Sequence, residues 1–209
     1  MGRPVDADSS ATFERIVATA HDLLAESPGA DFPSLRAVAA RSDVSLGTVQ
    51  YYFRTKRDLI EACLDVLQKD LDAVCRASFA RVSQGEKLEV VIADLFRFAR
   101  RVRHLLRLRA TMTVPAGLSP PRHRDAMGAI ARDAALVLAP RVGIAPDEVR
   151  LTLHAVTPIV TRFVMMSDEE ASWVTGRPPN EAHEALAAFL GRAARRLLES
   201  NAARDDQSP

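Results

Sequence analysis

The residue types gathered between Ser34 and Arg57, SLRAVAARSDVSLGTVQYYFRTKR, are those that bind phosphates and base edges. Arg36, Arg41, Arg54, Lys56 and Arg57 stand against Asp43 alone, a local charge of +4 in a chain whose 28 Lys and Arg are balanced by 27 Asp and Glu. A balanced chain does not wrap nucleic acid or an anionic membrane by bulk charge, so a polyanion must be met by a patch of this kind. Beside the cations stand Thr48, Gln50, Tyr51 and Tyr52, whose donors suit phosphate oxygens and major-groove base edges. The competing reading is an ordinary amphipathic helix with a solvated polar face.

Other chemistries lack their local signatures. The chain has no Gly-rich phosphate loop, no His-Glu-x-x-His helix and no Gly-x-Ser-x-Gly elbow. His21, His104, His123, His154 and His183 are scattered. Cys63 and Cys75 lie twelve residues apart in a helical pattern, so their Cα atoms stand ~18 Å apart, too far to bridge. Neither cysteine has a partner at metal-ligand spacing. The expectation is a protein without catalytic residues, metal or cofactor, with two reduced thiols. Its amino terminus is polar and no run approaches the roughly eighteen apolar residues of a membrane span, which predicts a cytoplasmic protein with no membrane partner.

The elements that position these residues read as helices, because apolar residues recur at three-four spacing and strand alternation is missing. A first helix carries Phe13, Ile16, Val17, Ala20, Leu23 and Leu24, with Ser9 or Ser10 as cap and Ser27-Pro28-Gly29 as stop. Ser34 and Ser45 cap two short helices joined by a turn at Asp43 to Ser45, with Val38, Val49 and Phe53 pointing inward and Ala39 at the crossing. Such a pair buries little alone and needs the first helix against it, which makes a three-helix helix-turn-helix unit. A long stripe from Leu59 to Phe79 follows. Further helices cover Lys87 to Arg103, a weaker stretch to Val114, Arg122 to Pro140, Asp147 to Met166 and Glu181 to Ser200, with Pro/Gly breaks between Pro115 and Pro121, Gly143 and Pro146, and Gly176 and Asn180.

The run VAARSDVSLGTVQYYFRTKRDLI resembles the TetR family of bacterial transcriptional regulators. Val38-Ala39, Val44-Ser45, Gly47-Thr48-Val49, Tyr52-Phe53 and Lys56 supply the family pattern in register. Ser42-Asp43 departs from the usual Ala-Gly, and Gln50 from a frequent aromatic; a turn position with positive φ favours glycine but tolerates aspartate better than most. The resemblance implies an all-α fold, with a helix-turn-helix DNA-binding domain at 1–56, a larger helical effector-binding and dimerisation domain at 57–203 and a disordered tail at 204–209. It places Arg36, Thr48 and Leu46 near bases, with Ser45, Tyr52 and Lys56 on phosphates. Gly47 belongs to the same motif. Gln50 could read adenine. Tyr51 is either on the DNA side or packed on Tyr52, and Arg3 in the leader could reach a minor groove.

A two-fold dimer reads two half-sites, so the carboxy-terminal helices are expected to pair. The candidates are Val156, Ile159, Val160 and Phe163 on one helix and Ala182, Leu186, Phe189 and Ala193 on the next. The family implies an effector pocket among the middle helices. Arg97, Arg100, Arg101, His104 and Arg107 read as a solvated basic face. Arg109 would join the apolar stripe if its helix ran unbroken, and would then need a protein carboxylate or a ligand acid. Pro158 should free the carbonyl of His154 and open a cavity, with His154, Phe163, Met112 and Trp173 as walls. The reading is a homodimeric repressor that binds a palindromic double-stranded DNA operator and responds to a small molecule. The alternative is a helical binding protein or enzyme of the same fold without operator binding.

Overall fold

The computed structural model describes residues 5–27, 31–113 and 121–205. Among them every regular element is an α-helix: α1 Val5–Glu26, α2 Leu35–Arg41, α3 Leu46–Tyr52, α4 Lys56–Ser83, α5 Leu88–Arg101, α6 Arg103–Thr113, α7 Pro121–Val142, α8 Pro146–Met165, α9 Asp168–Thr175 and α10 Pro179–Asp205. No helix is long and apolar enough to cross a membrane among the described residues. The helices sort into two compact units.

The first unit holds α1, α2, α3, α4 as far as Lys69, and α6 from His104. Its core joins Ile16, Val17, Ala20 and Leu24 of α1 to Phe32, Val38, Ala39, Val49 and Phe53, and then to Leu59, Cys63, Leu64 and Leu67 of α4. Three apolar turns of α4 therefore belong to this unit, beyond the boundary at residue 56 read from the sequence. α1 begins at Val5, so Ser9 and Ser10 lie inside the helix rather than capping it. The Ser27-Pro28-Gly29 stop and the leader with Arg3 fall largely or wholly outside the described residues.

The short helices are closed by their own side chains. Ser34 Oγ accepts from Ala37 N at 3.1 Å and Ser45 Oγ from Thr48 N at 2.9 Å. α4 opens on a reciprocal box that the sequence reading missed: Thr55 N donates to Asp58 Oδ2 at 2.8 Å and Asp58 N to Thr55 Oγ1 at 3.1 Å. The turn between α2 and α3 puts Asp43 at φ +53°, the left-handed conformation foreseen for it. A non-glycine residue pays about 1–2 kcal/mol there. Asp43→Gly is expected to raise the stability of this unit by about 1 kcal/mol, seen as a higher melting temperature, and Asp43→Val to lower it.

The second unit holds α4 from Asp70, α5, α7, α8, α9 and α10. Phe79, Val82, Val91, Ala134, Ala135, Leu138, Ala139, Ile144, Val149 and Leu198 form its core. α10 crosses α5 so closely that a methyl group on Gly191 would sit 2.6 Å from the Glu89 carbonyl oxygen. α9 was not foreseen, although Ser167 capping three consecutive acids and Gly176 at φ +64° are its start and stop signals. α10 runs on to Asp205, so Arg204 and Asp205, assigned to a disordered tail, are helical, and 206–209 lie outside the described residues. Cys63 and Cys75 are free, and burial pushes their thiols up to about 12 and about 11.

Two further expectations are corrected. The chain leaves the helix at Val102, so α5 and α6 are separate and no single stripe runs from Lys87 to Arg109. The basic face is also not simply solvated. Arg97 pairs with Asp94 at 2.7 Å and Glu184 at 2.6 Å; it holds the Glu184 carboxyl below its ordinary range, while Asp94 is held low first by Arg81, 2.8 Å away, and then by Arg97. Arg100 is sunk to 10% side-chain exposure, where it donates to the end carbonyls of α8, Val164 at 2.9 Å and Met166 at 2.7 Å, and to Asp168 at 3.1 Å. A cation at a helix carboxy terminus satisfies orphan carbonyls that the sequence alone does not locate.

Candidate nucleic-acid interface

α3 is a seven-residue helix with one buried residue, Val49. Three-four spacing then turns Gly47, Gln50 and Tyr51 outward, and all three are exposed, while Leu46 and Thr48 are half-buried at the rim. Arg36 on α2, Ser45 at the cap and Lys56 at the start of α4 are exposed as well. The structure thus keeps these site candidates together in one unit, around the outer side of α3.

The five cations of the segment are not equivalent. Arg41 is tied to Glu26 at 2.8 Å and Arg57 to Glu61 at 3.1 Å. Arg36 and Arg54 have no hydrogen bond or ion pair among the described residues, and Lys56 has only the Phe32 ring, 6.0 Å from Nζ. Positive charge is therefore uncompensated at the two ends of the α2–α3 pair, where a polyanion could reach it.

Gly47 adds a second indication. Its φ is not positive, and a methyl group there would meet nothing within 4 Å except Ser45 Oγ at 3.6 Å, an ordinary contact. Glycine in a helix costs roughly 0.5–1 kcal/mol against alanine. Nothing in the packing of the chain around Gly47 requires that cost.

Tyr52 is placed differently from expectation. It is half-buried, and its hydroxyl bridges to Ser9 of α1, donating to the carbonyl at 3.2 Å and lying 3.1 Å from Oγ. A phosphate needs a donor, and the single phenolic proton is already used in this geometry. Tyr52 instead ties α3 to α1, beside Phe13 at 6.2 Å. Tyr52→Phe is expected to lower stability by about 1 kcal/mol with little change in binding to any duplex. Tyr51 is 81% exposed and meets Tyr52 edge-on with ring centres 5.2 Å apart, so it has both the exposure and the packing that the sequence left open.

The effector candidates divide between the two units. Arg109 and Met112 belong to the first unit and His154, Phe163 and Trp173 to the second. Trp173 is 83% exposed, because Ala171 is the buried residue of α9 and a position two further on points roughly the opposite way. His154 and Pro158 are exposed on an otherwise continuous α8, so the carbonyl that the proline frees belongs to a surface residue. Phe163 is half-buried, 6.1 Å from Phe189.

The dimer candidates divide. Ala182 and Leu186 are 0% and 3% exposed, which commits them to the subunit's own core and corrects their assignment to an interface. Both faces of α10 are apolar, and the one with Ala182, Leu186, Ala187 and Leu190 turns inward. Phe189 and Ile159 remain about half exposed, with Val156, Val160, Phe163 and Ala193 half-buried. Leu151 and Leu197 are exposed on the same two helices.

The family model described as bacterial regulatory proteins, tetR family, matches residues 16–63. Among solved structures, the multidrug binding protein EbrR, complexed with malachite green, is 23% identical over 85% of this chain and 96% of its own, with a TM-score of 0.51. A TetR variant from Acinetobacter baumannii AYE in complex with minocycline is 21% identical over 88% and 97%, with a TM-score of 0.51. A gamma-butyrolactone receptor, an ArpA-like protein, is 24% identical over 92% and 99%, with a TM-score of 0.51. At these identities the likeness shows the shared fold. No curated protein is significantly similar to the chain.

Proposed function

We propose that this chain, whose residues 16–63 match the tetR family of bacterial regulatory proteins, is a member of that family and a homodimeric repressor whose operator affinity is set by a small-molecule effector. The observation that carries the DNA-binding part is the outer side of α3, where uncompensated Arg36, Arg54 and Lys56 flank a glycine that the fold itself does not require. Arg36, Leu46, Thr48 and Gln50 would read bases, and Ser45 and Lys56 would hold phosphates, with Gly47 admitting the DNA backbone. The protein works by occupying DNA rather than by turnover, and it does so in the cytoplasm.

Dimerisation is supported by the exposed apolar strip of α8 and α10, with Leu151, Ile159, Phe189 and Leu197 between 45% and 56% exposed. Large apolar residues clustered on two adjacent helices mark an interaction face. A two-fold pair then calls for a palindromic operator. An effector in the helical part is supported by the ligand complexes of EbrR and the Acinetobacter TetR variant.

Gly47→Ala tests the DNA face without disturbing the fold. The melting temperature is expected to hold or rise slightly, while affinity for a selected operator falls at least tenfold in fluorescence anisotropy. Unchanged affinity would remove Gly47 from the interface.

A further inference from the structure

Arg109 lies half-buried on α6 with an environment unlike that of the other sunken arginine, Arg100. Its hydrogen-bond partner among the described residues is the neutral Gln68 Oε1 on α4, 3.4 Å from Nη1. Leu105 and Leu108 beside it are buried, as are Leu64 and Leu67 next to Gln68, and Met112 one turn on is half-buried. The sequence has no Asp or Glu between Asp94 and Asp125, so α6 and its flanks supply no carboxylate of their own. Burial pushes the guanidinium below its ordinary value, and no charged group among the described residues acts to offset it. A desolvated cation is costly unless it is paired.

We propose that Arg109, with Gln68 beside it, is the anchor for the carboxylate of a small organic acid with an apolar body, and that this is the chemical class of the effector. The planar fork of a guanidinium matches a carboxylate bidentately. Leu105, Leu108 and Met112 offer an apolar wall that suits a hydrocarbon or aryl body and a single charge, rather than a phosphate dianion. Binding would supply the missing counter-charge and stabilise the unit that holds α3. The inference rests on the effector reading above.

The test uses the full chain with butyrate, octanoate, benzoate and salicylate, each beside its primary amide. At least one acid is expected to raise the melting temperature where its amide does not. Arg109→Met should weaken that acid by about 10- to 100-fold, the scale of a charged hydrogen-bonded pair, while melting no lower than the wild type without ligand. Arg109→Lys, which keeps the charge and loses the fork, should fall between. The proposal is overturned if no acid of the panel acts, if acid and amide act alike, if Arg109→Met responds like the wild type, or if ligand-free Arg109→Met melts several degrees lower, as a structural arginine would. Operator binding by the ligand-free protein is measured alongside. Acid binding without DNA binding would sink the regulator reading and leave the acid site, and DNA binding without acid binding would do the reverse.

Discussion

Replacing Gly191 by alanine is expected to destabilise the protein by about 2 kcal/mol, or a melting temperature roughly 4–8 °C lower. The added Cβ would stand 2.6 Å from the Glu89 oxygen and 2.9 Å from its Cα, separations that real side chains do not tolerate. The obstacle is backbone of α5, inside a helix, so it cannot swing aside as a side chain would. Alanine's better helix propensity returns up to about 1 kcal/mol and does not cancel the clash. The nearby Arg195–Glu89 pair at 2.9 Å should be lost if the helices part. Gly47→Ala is the internal control, since the same substitution there meets open space. Equal melting temperatures for the two variants would show that the α5–α10 approach is not tight in solution.

The second large effect concerns binding. Lys56→Ala is expected to weaken every duplex alike and to reduce the slope of log affinity against log salt by about 0.9, the share of one phosphate contact. Gln50→Ala should leave that slope unchanged and cost about 1–3 kcal/mol only on the preferred operator, relaxing choice at one base pair. The two variants therefore separate holding from reading. Measured by anisotropy across salt on the selected operator and a shuffled duplex, a slope change in Gln50→Ala or a base preference lost in Lys56→Ala would reverse the assignment.

The helix-turn-helix was legible in the sequence because its determinants are local. Ser34 and Ser45 cap the helix that each precedes, Asp43 occupies the one turn position that needs positive φ, and Val38, Val49 and Phe53 fall inward from spacing alone. The second unit was less legible because its determinants are pairwise and distant. Either face of α10 could have been the buried one, and it is packing against distant parts of the chain, such as the approach of α10 to α5 at Gly191 and Glu89, that sets which residues go inside. Arg100 looked like one more surface cation, since nothing near it in sequence reveals the α8 carbonyls that it caps. Tyr52 matched the family's phosphate contact by register, while its hydroxyl is spent on Ser9, forty-three residues away. Trp173 was taken for a cavity wall on residue type, and one turn of α9 was enough to put it outside.

The regulator reading is tested most directly by anisotropy of the purified protein on DNA from immediately upstream of its own coding sequence, against a shuffled duplex, titrated across salt and backed by selection from random DNA. The account predicts tight, salt-sensitive binding that prefers the native or a selected palindromic duplex and falls when Lys56 is replaced. Equal weak binding to both duplexes, with no sequence enriched from the random pool, would contradict it and leave the chain a helical small-molecule-binding protein without an operator.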